Sequence, residues 1–163
     1  MAQGDLVGRM LGAATLNVQT YEEVEADTTA TGQAAAVVAM AAVASAFGSA
    51  GQGLLAIGVA PLVQIVGWLV WAGITYLIGD KILGGTATWG ELLRTLGFAQ
   101  APALLLFLAF LPVVGWMLQA VVGIWVLVAG IIAIRQALDF STGKAILTAV
   151  LGWLVLAMAT AIF

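Results

Sequence analysis

The chain contains no cysteine and no histidine, and only 8% of its 163 residues are charged. The lack of cysteine excludes disulfides, thiolate metal sites and cysteine nucleophiles. The lack of histidine removes the usual ligand of haem, zinc and copper, and the usual general base near neutral pH. The composition therefore predicts a protein that is not an enzyme and that holds neither a metal ion nor a cofactor.

The scarcity of charge also excludes a water-soluble fold. Soluble domains carry about 25% charged residues and about 45–50% apolar ones, whereas 63% of this chain is hydrophobic. Eight acidic and five basic residues give a net charge of −3, which argues against a nucleic-acid partner. The sequence predicts an integral membrane protein whose surroundings are the lipid bilayer.

The charges fall in three groups, and the uncharged runs between them cover residues 28–79, 95–134 and 145–163. A membrane span needs about 20 apolar residues, so the first two runs each hold two spans and the last holds one. Clustered glycine at 48–53 and Pro112 divide the two long runs. The expected fold is an all-α integral membrane protein, a five-transmembrane-helix bundle of residues 32–163 preceded by a short amphipathic N-terminal segment of residues 1–31. The predicted spans are about 32–48, 54–79, 93–112, 115–136 and 144–163.

The N-terminal segment places its apolar side chains between positions 6 and 14 on one helical face. This spacing predicts a short helix that lies at the cytoplasmic surface of the membrane, with Asp5 and Arg9 towards water. The acidic run at 21–27 is interpreted as a solvated helix end, with the cap of the next helix at position 27 or 28. The alternative interpretation is a docking site for a basic partner surface.

With five spans, every basic residue lies on the side of the N-terminus or at a helix end facing that side: Arg9, Lys81, Arg94, Arg135 and Lys144. The positive-inside rule then predicts a cytoplasmic N-terminus and an extracytoplasmic C-terminus. The expected location is a prokaryotic plasma (inner) membrane rather than an organelle membrane. Arg94, Arg135 and Lys144 are expected to reach the interface from span ends. With no ionisable side chain expected at mid-depth, coupled ion transport and proton relay are disfavoured.

Three local patterns predict how the spans begin, bend and pack. The first span, Gly32–Phe47, is mostly alanine and is expected in the packed centre of the bundle, because small side chains let helix backbones approach closely. Thr88 and Glu91 predict a capping box at the start of the third span. The run Gly97–Pro102 concentrates glycine, glutamine and proline, and it predicts a kink.

Six residues within or near the spans are candidate intramembrane contact residues: Trp68, Trp71, Gln100, Pro102, Trp125 and Trp153. An indole N–H in hydrocarbon needs an acceptor, so one interpretation of these tryptophans is packing against neighbouring helices or bonding to a backbone carbonyl. In the other interpretation they form an aromatic surface that contacts a lipid, a quinone, a carotenoid or a partner protein.

Several stretches resemble prokaryotic members of the Yip (Ypt/Rab-interacting-protein) domain family: Tyr76–Gly79, Gly84–Trp89, Glu91–Pro102, Thr20–Asp27, Arg135–Ala137 and Lys144–Ala145. The resemblance covers most of the chain and implies a five-helix bundle with a cytoplasmic N-terminus. Eukaryotic relatives are associated with Rab-type GTPases and vesicle traffic. The long cytoplasmic N-terminal region of those relatives is not found here, so GTPase binding is not carried over.

The expected function is that of a non-enzymatic, multi-pass membrane protein. It would act as a membrane-organising adaptor or scaffold, or as a small accessory subunit of a larger membrane complex, in contact with other integral membrane proteins. The alternative is a small oligomeric channel or transporter for an uncharged solute.

Overall fold

The computed structural model describes residues 4–48, 54–111 and 113–161. All regular secondary structure in these ranges is helical, as the composition predicts. The α-helices are α1 (Leu6–Ala14), α2 (Val18–Ala26), α3 (Thr31–Gly48), α4 (Leu54–Tyr76), α5 (Trp89–Phe98), α6 (Val114–Ala137) and α7 (Thr142–Ala161). A 3-10 turn (Thr28–Ala30) precedes α3, a π-helical segment (Leu77–Ile82) continues α4, and a 3-10 segment (Ala101–Phe110) follows α5.

Three helical stretches are long and apolar enough to cross a membrane: Thr28–Gly48, Pro61–Ile82 and Val114–Ala137. The pair formed by α5 and the 3-10 segment meets the same criterion as one span bent by 41°. The apolar part of α7, Thr142–Val155, belongs to the shorter helices. The described residues therefore carry three or four spans, and the predicted fifth stays a prediction.

The alanine-rich helix α3 occupies the centre of the bundle, as its composition predicts. Within its span 44% of the residues are buried, against 28% and 22% in the other two long spans. Small residues allow this close packing, since a Cβ placed on Gly97 of α5 would lie 2.8 Å from the Cβ of Ala34.

The capping box and the kink predicted for the third span are both present. Thr88 Oγ1 accepts the backbone N–H of Glu91 at 3.3 Å, and Glu91 Oε2 accepts the backbone N–H of Thr88 at 2.8 Å. The α-helix ends at Phe98, and the chain continues from Ala101 as a 3-10 helix with Pro102 in its first turn. Proline cannot donate to the helical ladder, which explains why the α-helix ends here.

In the N-terminal segment, helix α1 (Leu6–Ala14) lies where the spacing predicts a short helix, and a second helix, α2 (Val18–Ala26), which the spacing does not predict, folds back against it. Helices α1 and α2 form this N-terminal hairpin, whose turn has Leu16 in the left-handed region at φ 61° and the N–H of Asn17 bonded to the carbonyl of Gly12 at 2.9 Å. Asn17 then caps α2 by accepting the backbone N–H of Gln19. A side chain at position 12 would collide with Thr20, so the turn needs glycine there.

Two predicted span breaks fall largely outside the described residues. Gly48 ends α3, and the rest of the glycine cluster, 49–53, lies outside the described ranges. Pro112 lies outside them as well, between the 3-10 segment and α6.

Candidate functional site

A cleft of about 630 Å³ lies among helices α4, α5, α6 and α7. Its lining contains three of the six candidate residues, namely Trp71, Gln100 and Trp153. The remaining lining residues are aliphatic side chains, alanine and the glycines Gly123 and Gly130 of α6. Two indoles and one amide thus line a cleft that is otherwise apolar.

Two glycines of α6 leave free space at the side of the cleft that α6 forms. A Cβ placed on Gly123 or on Gly130 would meet no atom within 4 Å. The two positions are seven residues apart, about two helical turns, so they share one helix face. Across the cleft Gly152 of α7 lets the ring of Trp71 approach, because a Cβ there would lie 3.3 Å from that ring.

Two of the candidate tryptophans donate their indole N–H to an acceptor inside the protein. Trp68 is buried and donates its indole N–H to the carbonyl of Leu93 at 3.2 Å. Trp125 donates its indole N–H to the carbonyl of Ala14, at the end of α1, at 2.7 Å. Each of these indoles therefore joins two helices through a backbone carbonyl, which is the first of the two interpretations given for the tryptophans.

The other candidates differ in their surroundings. Neither Trp71 nor Trp153 donates its indole N–H to any acceptor among the described residues, and within the same ranges the Gln100 amide makes no hydrogen bond. Trp153 is 64% exposed on the outer side of the cleft. Pro102 is buried at the start of the 3-10 segment and does not line the cleft.

The N-terminal hairpin stands alongside α6. Ala14, near its turn, accepts from Trp125, and Glu22 accepts the side-chain amide N–H of Gln136 at 2.9 Å. Trp125 and Gln136 are eleven residues apart on α6, a distance of about 16 Å along a helix axis. The hairpin therefore runs along α6 for that length.

Arg94 anchors the hairpin to α5, because its guanidinium is buried among protein groups. It is 5% exposed, and its Nε donates to the carbonyls of Val24 and Glu25 at 2.9 and 3.1 Å. Its Nη2 also donates to Glu25 O. These carbonyls belong to the last turn of α2, where helix geometry leaves acceptors without intrahelical donors.

Arg9 is also buried, contrary to the prediction that it faces water. It is 6% exposed and donates to Glu23 at 2.9 Å and to Asp27 at 2.7 Å, forming ion pairs with both. It also donates to the side-chain oxygen of Gln33 at 2.9 Å. The predicted cap at Asp27 is present, since this carboxylate accepts the N–H of Thr29.

Two acids, Glu25 in the last turn of α2 and Asp27 just after it, have shifted pKa values. Hydrogen bonds from Thr29 and Arg9 lower the pKa of Asp27 to about 2. Burial, with the negative charges of Glu91 and Asp139, raises the pKa of Glu25 to about 7 despite the nearby cation of Arg94. The acidic run is therefore partly turned inward, and it is less solvated than its sequence predicts.

Neither arginine could be identified as an internal contact from the sequence. The partners of Arg9 follow it by 14 to 24 positions, and those of Arg94 precede it by about 70. Helical periodicity relates only positions three or four apart. The one available signal was the scarcity of charge, which makes each remaining arginine a candidate for a structural role.

Comparison with known proteins identifies one family. A family model described as the Yip1 domain matches residues 15–163. Comparison with curated proteins and with solved structures gives no match.

Proposed function

Because the chain belongs to the Yip1 domain family, we propose that it is a non-enzymatic, multi-pass membrane protein that organises other membrane components. It acts as an adaptor or scaffold, or as a small accessory subunit of a larger membrane complex. The observation that carries this proposal is the docking of the N-terminal hairpin against the bundle. Arg9 of the hairpin forms ion pairs with Glu23 and Asp27, so these charges are held within the protein. We infer that partners contact the apolar surface in the membrane plane.

That surface is extensive on α6 and α7. Ile124, Leu127 and Met158 are all more than half exposed, and each presents an aliphatic or thioether side chain outward. In a bilayer such side chains contact lipid or the helices of other membrane proteins. The proposed partners are therefore integral membrane proteins.

The proposed topology has five spans, with the N-terminus in the cytoplasm and the C-terminus outside a prokaryotic plasma membrane. Helix α7 contains 20 residues, about 30 Å at 1.5 Å per residue, which supports its assignment as the fifth span. The position of the basic residues supports the orientation.

Site-specific photo-crosslinking in native membranes tests the adaptor proposal. A photoreactive residue at Ile124 of α6 is compared with one at Leu62 of α4, because the two positions are 64% and 65% exposed. We expect a defined integral membrane protein to be captured from one face and not equally from both. Capture of lipid alone from both positions would contradict the proposal.

The alternative is a small oligomeric channel or transporter for an uncharged solute, and one observation favours it. The cleft of about 630 Å³ contains an amide that makes no hydrogen bond among the described residues. Purified protein in proteoliposomes separates the two functions. Reproducible, protein-dependent solute flux would replace the adaptor proposal with the transport one.

A further inference from the structure

We propose that the cleft among α4, α5, α6 and α7 binds one lipid-soluble carbonyl compound of the quinone type, with its ring between Trp71 and Trp153. The proposal concerns binding only and goes beyond the adaptor role, which it neither requires nor replaces. It rests on the depth of three hydrogen-bonding groups, on the space that two glycines leave, and on the opening of the cleft towards lipid.

The three hydrogen-bonding groups of the cleft lie at one depth. Trp71 precedes the end of the π-helical segment by eleven residues, and Gln100 and Trp153 follow the starts of α5 and α7 by eleven residues each. Those three helix ends are on one side of the bundle, because the hydroxyl of Thr86 donates to Asp139 at 2.8 Å and joins the two loops there. Counted from the predicted span ends at 79, 93 and 144, the three groups lie seven to nine residues, about 10–14 Å, inside a hydrocarbon core of about 30 Å.

Indole N–H groups at this depth need a hydrogen-bond acceptor, which ordinary lipids do not supply there. Within the described ranges the indole N–H groups of Trp71 and Trp153 have no acceptor, while those of Trp68 and Trp125 are bonded to backbone carbonyls. Ester carbonyls of phospholipids lie at the interface, and saturated chains carry no acceptor. A ring with carbonyl oxygens, held in the bilayer by an apolar tail, supplies acceptors inside the hydrocarbon core.

The size of the cleft is that of a small-molecule site. Its volume of about 630 Å³ lies within the range of about 300–1,000 Å³ typical of small-molecule sites. The indoles offer flat apolar faces on which a planar ring can stack.

The cleft is open to the bilayer, so a ligand reaches it from lipid. Leu127 of α6 and Val150 of α7 line the cleft and are 58% and 48% exposed. A second groove of similar volume, lined by residues such as Met40 and Phe107, contains no hydrogen-bonding side chain in its lining. The cleft differs from this groove by the polar groups that select the ligand.

Binding is tested with the full chain in nanodiscs, using a decyl-substituted benzoquinone as the probe. Decylbenzene is the comparison probe, because it keeps the ring and the tail and has no oxygen. Bound probe is measured by extraction and corrected for protein-free nanodiscs. We expect saturable binding of one quinone per chain and at least tenfold weaker binding of decylbenzene.

Glycine variants separate occupation of the cleft from partition into lipid. Gly123→Leu and Gly130→Leu place a side chain in open space within the cleft, and we expect each to weaken quinone binding at least tenfold. Gly67→Leu is the matched control, since a Cβ on this α4 glycine also meets no atom within 4 Å and Gly67 does not line the cleft. We expect it to bind within twofold of the native chain.

A third variant keeps the test decisive if the glycine variants do not fold. Trp153→Phe retains an aromatic ring and removes one donor, and we expect about fivefold weaker binding, the effect of a single hydrogen bond. Equal binding of the two probes, absence of saturation, or unchanged affinity in folded Gly130→Leu or Trp153→Phe would each overturn the proposal.

Discussion

Removal of the Arg94 guanidinium should release the N-terminal hairpin from the bundle. Arg94→Met keeps an unbranched apolar side chain in a site that is 5% exposed, while it leaves the carbonyls of Val24 and Glu25 without a donor. Hydrogen bonds to a charged group contribute about 1.5–3 kcal/mol each, and the substitution also ends the cost of burying a cation. With two carbonyls affected, we expect a net loss of about 3 kcal/mol in the docking of α2.

Amide hydrogen exchange measures this loss at the hairpin itself. A docking free energy lower by about 3 kcal/mol raises local opening, and hence exchange of the α2 amides, about a hundredfold. Arg135→Met is the matched control, because the half-buried Arg135 makes no ion pair among the described residues. Unchanged α2 exchange in Arg94→Met, or the same increase in both variants, would refute the role assigned to Arg94.

Three further results are expected. The pKa of Glu25, raised to about 7, means that the folded chain binds more protons than the unfolded chain between its ordinary value of 4.5 and about 7. Stability should therefore fall as the pH rises through that window, and Glu25→Gln should flatten a thermal unfolding profile; an unaltered profile would contradict the shift. Gly97→Ala should cost about 1–3 kcal/mol in unfolding experiments, because the new Cβ would lie 2.8 Å from Ala34 Cβ, while Gly67→Ala, which meets nothing, should cost less than half of that. Because the chain has no cysteine, single cysteines at Thr86 and at the C-terminus should be labelled by impermeant reagents from opposite sides of the membrane, and labelling from the same side would contradict five spans.

The local features of the fold were accessible from the sequence because their causes are local. The capping box joins Thr88 and Glu91, three positions apart, and the bend follows from Pro102 and its neighbours. The central position of α3 follows from its own composition, since alanine gains little by facing lipid and allows neighbouring helices to approach. Each of these predictions required knowledge of a single helix.

The candidate cleft was only partly predictable. Trp71, Gln100 and Trp153 were selected as polar or aromatic groups inside spans, but nothing in their order predicted that they face one space while Trp68 and Trp125 bond to backbone carbonyls. Which way a mid-span indole points depends on helix rotation. Rotation is decided by packing against neighbours, and a uniformly apolar helix carries little periodic signal for it.

The low content of charge determined the environment of this protein by itself, because 8% charged residues cannot cover a soluble surface and the long uncharged runs fit a membrane. Only the tertiary structure decided what two of those charges do. Arg9 and Arg94 are buried, one among side chains of the hairpin and α3 and the other on the carbonyls that end α2. The partners of Arg94 are backbone carbonyls, which every residue has. No residue type in the sequence therefore marks where such a hydrogen bond forms.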